Sequence, residues 1–476
     1  MEVVLSPEPE QRVFPHLPYI PFDPNIVLYD CAAFHFGEAH PWEFAGWREE
    51  ILSWRTSVGI GAVLNPTPTV FLRGPDVIKF LSDICVNSFT KFAVGSSRHA
   101  IMCNEDGQVM VHGVVVRTGE EEVYMMWLSP WPEYQLARSN GRYDVEIDDQ
   151  TTNMFLFQVA GPHSLETLES ATGEDLHDIG FMRNRLSSID GREVRILRIG
   201  MAGGLAYEVH GKSEDAVAVY ESIHTAGKAW DIRRVGVQAY MLNHTESGFP
   251  QWGYHFPAPW AEDQEFGAFL GGLGMDALIE PVSARGSAGP DVSKRYVNPI
   301  ELGWGHTVKF NHDFIGREAL ERIAAAPTRK MVTLEWNKQD ILDVHASQLE
   351  PGEPYLPMDR PNHYSFWPSP GKGGEGEDQT AAQWGDDVRN ASGDVVGLSM
   401  GRTHSEYFHQ MISLALIDVA EAEEGNELVV IWGEPGTRQK EIRAKVARFP
   451  YLTENRNETV DVSTIPTLKI AAEANL

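Results

Sequence analysis

The chain has 476 residues, 42% of them hydrophobic, with 13 Trp and 21 Phe, which is enough apolar material for two or three packed domains and argues against global disorder. A formal net charge of −29 opposes phosphate backbones and anionic lipid, so neither nucleic acid nor a membrane is expected as a partner. Cys31, Cys85 and Cys103 are too few and scattered for a disulfide framework or zinc site. The opening lacks a basic and apolar leader, and no apolar run is long enough to span a bilayer, so a cytoplasmic location is expected.

In chain order, residues 1–45 are Pro- and aromatic-rich (FPHLPYIPFDPN) and read as an irregular N-terminal arm. WREEILSWRTSV, from Trp47, reads as helix. VFLRG followed by PDVIKFLSDI predicts a strand, a turn and a helix with Pro at its first position. MCNEDGQVMVHGVVVRTGEEEVYMMWL predicts a meander turning at EDG and TGE. FLFQVAGPHSLETLESA predicts strand, Gly-Pro turn and helix, and EVRILRIGMAGGLAYEVHG a strand pair around MAGG. Hairpin-linked strands mixed with single helices predict an α+β region over 46–298, built as two interleaved subdomains.

Residues 299–329 hold ELGWGHTVKFNHDFIGREAL, read as a Gly-rich strand, a polar turn and a helix. From 330 to 476 the alternation of MVTLEW, SLALIDV and ELVVIWG predicts a small β-barrel or jelly roll. Within it, residues 348–392 are rich in Pro, Gly and acid and read as an insertion or lid.

The block from Glu301 to Leu320 resembles the "G-W-x-V-K … D-F-I-G-R-E-A-L" segment of the glycine-cleavage T-protein (aminomethyltransferase) family. Members of that family bind tetrahydrofolate and pass one-carbon units to or from it. AYMLNHTESGFPQWGYHF, from Ala239, is similar to "A-Y-P-S-N-T-L-E-S-G-W" of the vanillate/syringate-type aryl O-demethylase branch. WRTSV, FLRG, GMAG, VTLEWN, VVGLSM and LVVIWGE match the same branch in the same order. The resemblance implies a three-domain, T-protein-like fold with tetrahydrofolate in a central channel. It also implies methyl transfer from a methoxylated aromatic, giving a phenol and 5-methyltetrahydrofolate.

An aryl ether leaves as phenolate, so a proton must reach its oxygen as the bond breaks, and tyrosine has a pKa near that of the leaving phenol. Tyr240 occupies the place of the branch's proposed catalytic tyrosine; packing against a pterin or core is the plainer reading. Glu208 resembles the family's pterin-gripping glutamate, where a carboxylate accepts charge-assisted hydrogen bonds, against the alternative of a solvated strand-end acid. Gln158 matches a glutamine expected at the same ring, and Phe249 stands where the branch carries a stacking tryptophan; both residue types are also ordinary core or strand residues.

Two departures carry information. Val111 and His112 stand where aminomethyltransferases carry the aspartates of "G-G-V-x-D-D", which disfavours carboxylate-assisted aminomethyl transfer. His112 is then a candidate for proton handling near pH 7, or a structural histidine. Pro66 and Leu128 stand where vanillate-type enzymes hold the substrate carboxylate with histidine and arginine. With Trp127, Met125 and Met126 alongside, they suggest an apolar wall and a less polar substrate, unless Arg98 or His99 anchors an acid group. Tyr29 is a further candidate for the pocket wall, against a packed arm residue.

Arg285, Lys294, Arg295 and Lys309 suit either the folate's glutamate tail or a solvated rim. Arg317 is expected to pair with a neighbouring acid. His306, His312, His404 and His409 lack metal-ligand spacing, so no metal is expected. A sulfonium or N-methyl donor, which needs no proton donor but wants an aromatic cation-binding wall, is the alternative substrate. A non-catalytic folate-binding module is the alternative class, although the "K-G-C-Y-x-G-Q" motif of such relatives is absent.

Overall fold

Strands Ser97–Cys103, Val109–Gly119 and Glu122–Met126 pair antiparallel in succession, turning where EDG and TGE demand it. Thr69–Arg73 and Glu146–Asp149 complete a five-stranded sheet. Helix Val77–Ile84 covers it, with Val77, Phe80, Leu81 and Ile84 buried at the i, i+3, i+4, i+7 spacing of one helical face. The helix starts two residues after Pro75, which stays in the preceding turn.

The second sheet has six strands in the order Asn184–Ile189, Arg192–Leu197, Ala206–Lys212, Met154–Ala160, Gly59–Gly61 and Arg233–Val235. All contacts are antiparallel except the last, at one edge. The C-terminal region closes six strands, Arg329–Trp336 through Lys440–Ala447, into a barrel around Leu334, Trp336, Val430 and Trp432. The α+β class with a C-terminal barrel is therefore the observed architecture. The computed structural model describes residues 29–31, 39–275, 283–361 and 382–467, so most of the N-terminal arm and much of the 348–392 stretch lie outside the described residues. No helix among the described residues is long and apolar enough to cross a membrane.

Helix Val237–Ser247 links the three units, and all eleven of its residues are buried. It packs against helix Trp47–Thr56 and the barrel strand Val395–Ser405. Near its end Glu246 accepts from Arg55 at 2.8 Å and from Ser405 Oγ at 2.7 Å, with both charged side chains almost wholly buried. Removing one partner of a buried pair leaves the other charge uncompensated. Glu246→Ala should therefore destabilise the fold by about 3–5 kcal/mol, read as a lower denaturant midpoint with an unchanged slope. Gly248 ends the helix in the left-handed region at φ 64°, where a Cβ would also collide with Pro450.

Two local expectations fail. Residues 301–310 form no strand: Gly303 adopts φ 79°, Leu302 and Trp304 donate back to Asn298 and Pro299, and Gly305–Thr307 is a 3-10 turn. The helix beyond starts at Arg317, which pairs with Asp313 and Glu321 as expected. Asp386–Arg389, inside the stretch read as a lid, is a barrel strand. Its polar text misleads because Asp386 is buried and accepts from the Trp384 indole at 3.1 Å.

Candidate active site

The two sheets, helix Val237–Ser247, the 301–310 turns and the segment around Phe449 enclose a cavity of about 390 Å³. Its wall includes Glu208, Tyr240, Phe249, Trp127 and His112, which the sequence had singled out separately. A small annexe of about 30 Å³ shares Leu64, Trp127, Tyr240 and Gln251 with it and adds Met241, Trp252 and Tyr254. Tyr240 stands at the junction of the two spaces.

Glu208 lies on Ala206–Lys212, directly opposite Gln158 on Met154–Ala160, and both are buried. Gln158 Nε2 donates to Glu208 Oε1 at 3.4 Å, and His210 Nε2 lies 3.1 Å from Oε2. Gln158 thus meets the carboxylate from behind and is not part of the cavity wall. Tyr240 Oη touches Met201 Sδ at 3.6 Å, a weak acceptor in the MAGG turn. Burial, reinforced by the charge of Glu208, holds the Tyr240 phenol well above its ordinary pKa, so it is protonated at neutral pH.

Trp127 adopts φ 63°, which is rare for a bulky residue. The twist turns its indole to the cavity and sends Leu128 into the first sheet's core with Phe80 and Trp131. Leu128 was read as a substrate contact; it is a core residue, and Trp127 and Met126 form the wall there. Gly113, opposite, admits the Met126 carbonyl so closely that any Cβ would collide. Tyr29 lies in strand Tyr29–Cys31, and its side chain falls outside the described residues.

His112 is the wrong kind of group for proton exchange near pH 7. Burial, with His99 and His244 nearby, pushes its pKa well below the ordinary value, and burial takes His99 down to about 3. The backbone N–H of Trp252 donates to His112 Nε2 at 3.3 Å, which makes Nδ1 the protonated nitrogen. That nitrogen donates to His99 Nε2 at 3.3 Å, leaving His99 Nδ1–H as the end of the chain. Both rings are neutral and pack with Phe249 and Trp304. Arg98 donates to the Ser88 carbonyl and lies over Phe89 and Phe92, so it does not serve the cavity.

His244, pushed down to about 4 by burial, and His255 extend this neutral group. The folded protein refuses protons that the unfolded chain accepts near pH 6.5. Stability is therefore full above that pH and falls below it toward the folded pKa values, by up to about 1.4 kcal/mol per pH unit for each group. Urea midpoints should drop between pH 7 and 5.5, and an unchanged midpoint would contradict buried neutral histidines.

Of the basic residues read as a tail site, Arg295 is buried against Gln383 and Arg285 pairs with Glu434, both away from the cavity wall. Lys309 donates to the carbonyl of His306, a wall residue, at 2.7 Å. Among the described residues, Glu169, Asp175 and His177 bring together atoms of metal-binding type. Both ring nitrogens of His177 face acceptors within the protein: Nδ1 lies 2.9 Å from each of the two carboxylates and Nε2 lies 2.9 Å from the Ile465 carbonyl. Engaged in this way, the group ties down the chain beyond the barrel.

The chain matches the GCVT N-terminal domain over residues 29–258. It is 45% identical to sesamin methylene transferase of Sinomonas sp. across 90% of this chain and 93% of that protein. It belongs to the GCVT family. Syringate O-demethylase of Sphingobium sp. is 29% identical across 88% and 92% of the two chains. The crystal structure of aminomethyltransferase T from Bartonella henselae shares the fold, with a TM-score of 0.64 at 17% identity over 90% of this chain and 95% of that one. As a family member the chain is a transferase whose cofactor is tetrahydrofolate. The donor set fits a pterin: Glu208 is a buried acceptor held from behind and open to the cavity, where an amino group and a ring N–H can donate to it together.

Met201 and Trp304 also line the cavity, His210 lies against Glu208 with Tyr124 beyond it, and the sequence reading missed all four. For His210 the signal was present, because two residues along a strand from Glu208 is the same face.

Proposed function

We propose that this protein takes a one-carbon unit from an uncharged aryl ether, either methoxy or methylenedioxy, and passes it to tetrahydrofolate. The observation that carries this reading is the position of Tyr240, a buried, protonated phenol between a small aromatic annexe and the chamber containing Glu208. In this assignment the donor ring rests in the chamber of about 390 Å³ against Leu64, Trp127 and Tyr240, and Glu208 and Phe249 hold the cofactor.

Tetrahydrofolate held by Glu208 and Phe249 would supply the nucleophilic nitrogen and one balancing proton for each carbon–oxygen bond broken. Tyr240 delivers a proton to the ether oxygen as its bond to carbon breaks, so a phenol departs instead of a phenolate. The soft Met201 contact leaves the hydroxyl free to turn toward that oxygen. The walls hold the reacting atoms in line and exclude water, which removes much of the entropic barrier. A methoxy donor breaks one carbon–oxygen bond and yields a phenol. A methylenedioxy donor breaks two, its carbon would pass to two folate nitrogens that each give up a proton, and both oxygens leave protonated as a catechol.

The character of the wall supports an uncharged donor. Leu128 and Arg98 point elsewhere, His99 and His112 are neutral, and Arg456 of the chamber wall is paired with Glu458. The identity with a methylene transferase favours the methylenedioxy class within this reading. The test incubates the protein with tetrahydrofolate and matched neutral and carboxylated methoxy- and methylenedioxybenzenes, and follows the folate by mass spectrometry. Faster turnover of neutral donors supports the proposal, and exclusive turnover of benzoates would refute it.

A further inference from the structure

We infer that His210 and Tyr124 are positioning residues for the cofactor: they form a hydrogen-bonded chain from one sheet to the other that aims the Glu208 carboxylate at the pterin. The inference rests on Glu208 holding the pterin, as proposed above. Strand alternation puts Glu208 and His210 on one face of Ala206–Lys212, with His210 Nε2 3.1 Å from Glu208 Oε2. Tyr124 comes from the other sheet, on Glu122–Met126, and its Oη lies 2.8 Å from His210 Nδ1. All three are buried, at 4%, 1% and 1% exposure for Glu208, His210 and Tyr124.

The direction of the chain is set by its ends. Burial raises the Tyr124 phenol far above its ordinary pKa despite the opposing charge of Arg195, so the hydroxyl keeps its proton and donates to Nδ1. His210 Nε2–H then donates to Glu208, the direction that a carboxylate acceptor requires. Gln158 holds the other oxygen only at 3.4 Å. His210 is thus the closer of the two polar contacts fixing the carboxylate's rotation, and the lone pairs they leave unused are available to the cavity.

A purely architectural contact between two sheets has no need of this chemistry. Buried polar groups cost desolvation that an apolar pair of similar volume avoids, so three polar groups in a row point to a ligand that uses them. The strand bearing Tyr124 runs directly into Met126 and Trp127 in the cavity wall, so one short segment serves both the carboxylate and the donor side.

The test measures tetrahydrofolate binding by calorimetry, without any donor, for the full-length protein and for H210F, H210Q and Y124F. Near-UV circular dichroism and melting temperature are recorded for each. His210→Phe should weaken tetrahydrofolate at least about tenfold, as expected for losing a bond to a charged group. H210Q, which keeps a donor, should recover part of that affinity, and Y124F should fall between wild type and H210F. The donor KM should stay within about twofold. Wild-type affinity in both H210F and Y124F would overturn the inference, as would a parallel loss of folate affinity, donor affinity and melting temperature. A wild-type protein that binds no tetrahydrofolate would instead remove the function proposed above and this inference with it.

Discussion

Tyr240→Phe should lower turnover by about 10²- to 10⁴-fold, the range supplied by a positioned general acid, while leaving tetrahydrofolate affinity within about twofold. The substitution deletes one oxygen whose only hydrogen bond among the described residues is a 3.6 Å contact with the Met201 sulfur, so neither packing nor stability should change much. The loss should appear in kcat with little change in KM, because the proton is needed only as the carbon–oxygen bond breaks. Stopped assays of phenol release beside calorimetry of the folate separate the two effects. A sulfonium or N-methyl donor leaves as a neutral group and needs no proton. Undiminished turnover would therefore favour that class over aryl ethers.

Glu208→Gln should have the opposite signature. Its carboxylate is the buried anion facing the chamber, held by Gln158 and His210. An amide presents a donor where the pterin also presents donors and removes the charge that strengthens both hydrogen bonds. Tetrahydrofolate affinity should fall by about 10- to 100-fold, roughly 1.5–3 kcal/mol, with the donor KM little altered. Calorimetry of the variant checks this directly. Unchanged affinity would mean that the cofactor rests elsewhere.

Much of the fold could be read from local chemistry. The meander at MCNEDGQV to VYMMWL and the barrel strands announce themselves because turn residues and alternation agree with the final pairing. The block from Glu301 misled, since its glycines look like a close-packed strand but instead let the backbone fold back on itself to put Trp304 against the cavity. Asp386–Arg389 misled for the reverse reason, its acids being a buried partner within the barrel.

The site was legible where one residue type matched one chemical need, as at Tyr240 and Glu208. It was illegible where orientation depended on a single backbone torsion. Nothing in the text Met-Trp-Leu-Ser says that Trp127 turns left-handed and so exchanges the apparent roles of Trp127 and Leu128. His112 failed similarly, because its proton is directed by the Trp252 amide, 140 residues away in sequence.

The most direct trial of the central claim gives the protein tetrahydrofolate and an uncharged aryl ether labelled with ¹³C at the ether carbon, then follows the label by mass spectrometry. The account predicts that the heavy carbon appears on the folate in step with release of one phenol or catechol for each carbon moved. Heavy formaldehyde with unlabelled folate, or release of phenol that does not need the cofactor, would contradict it.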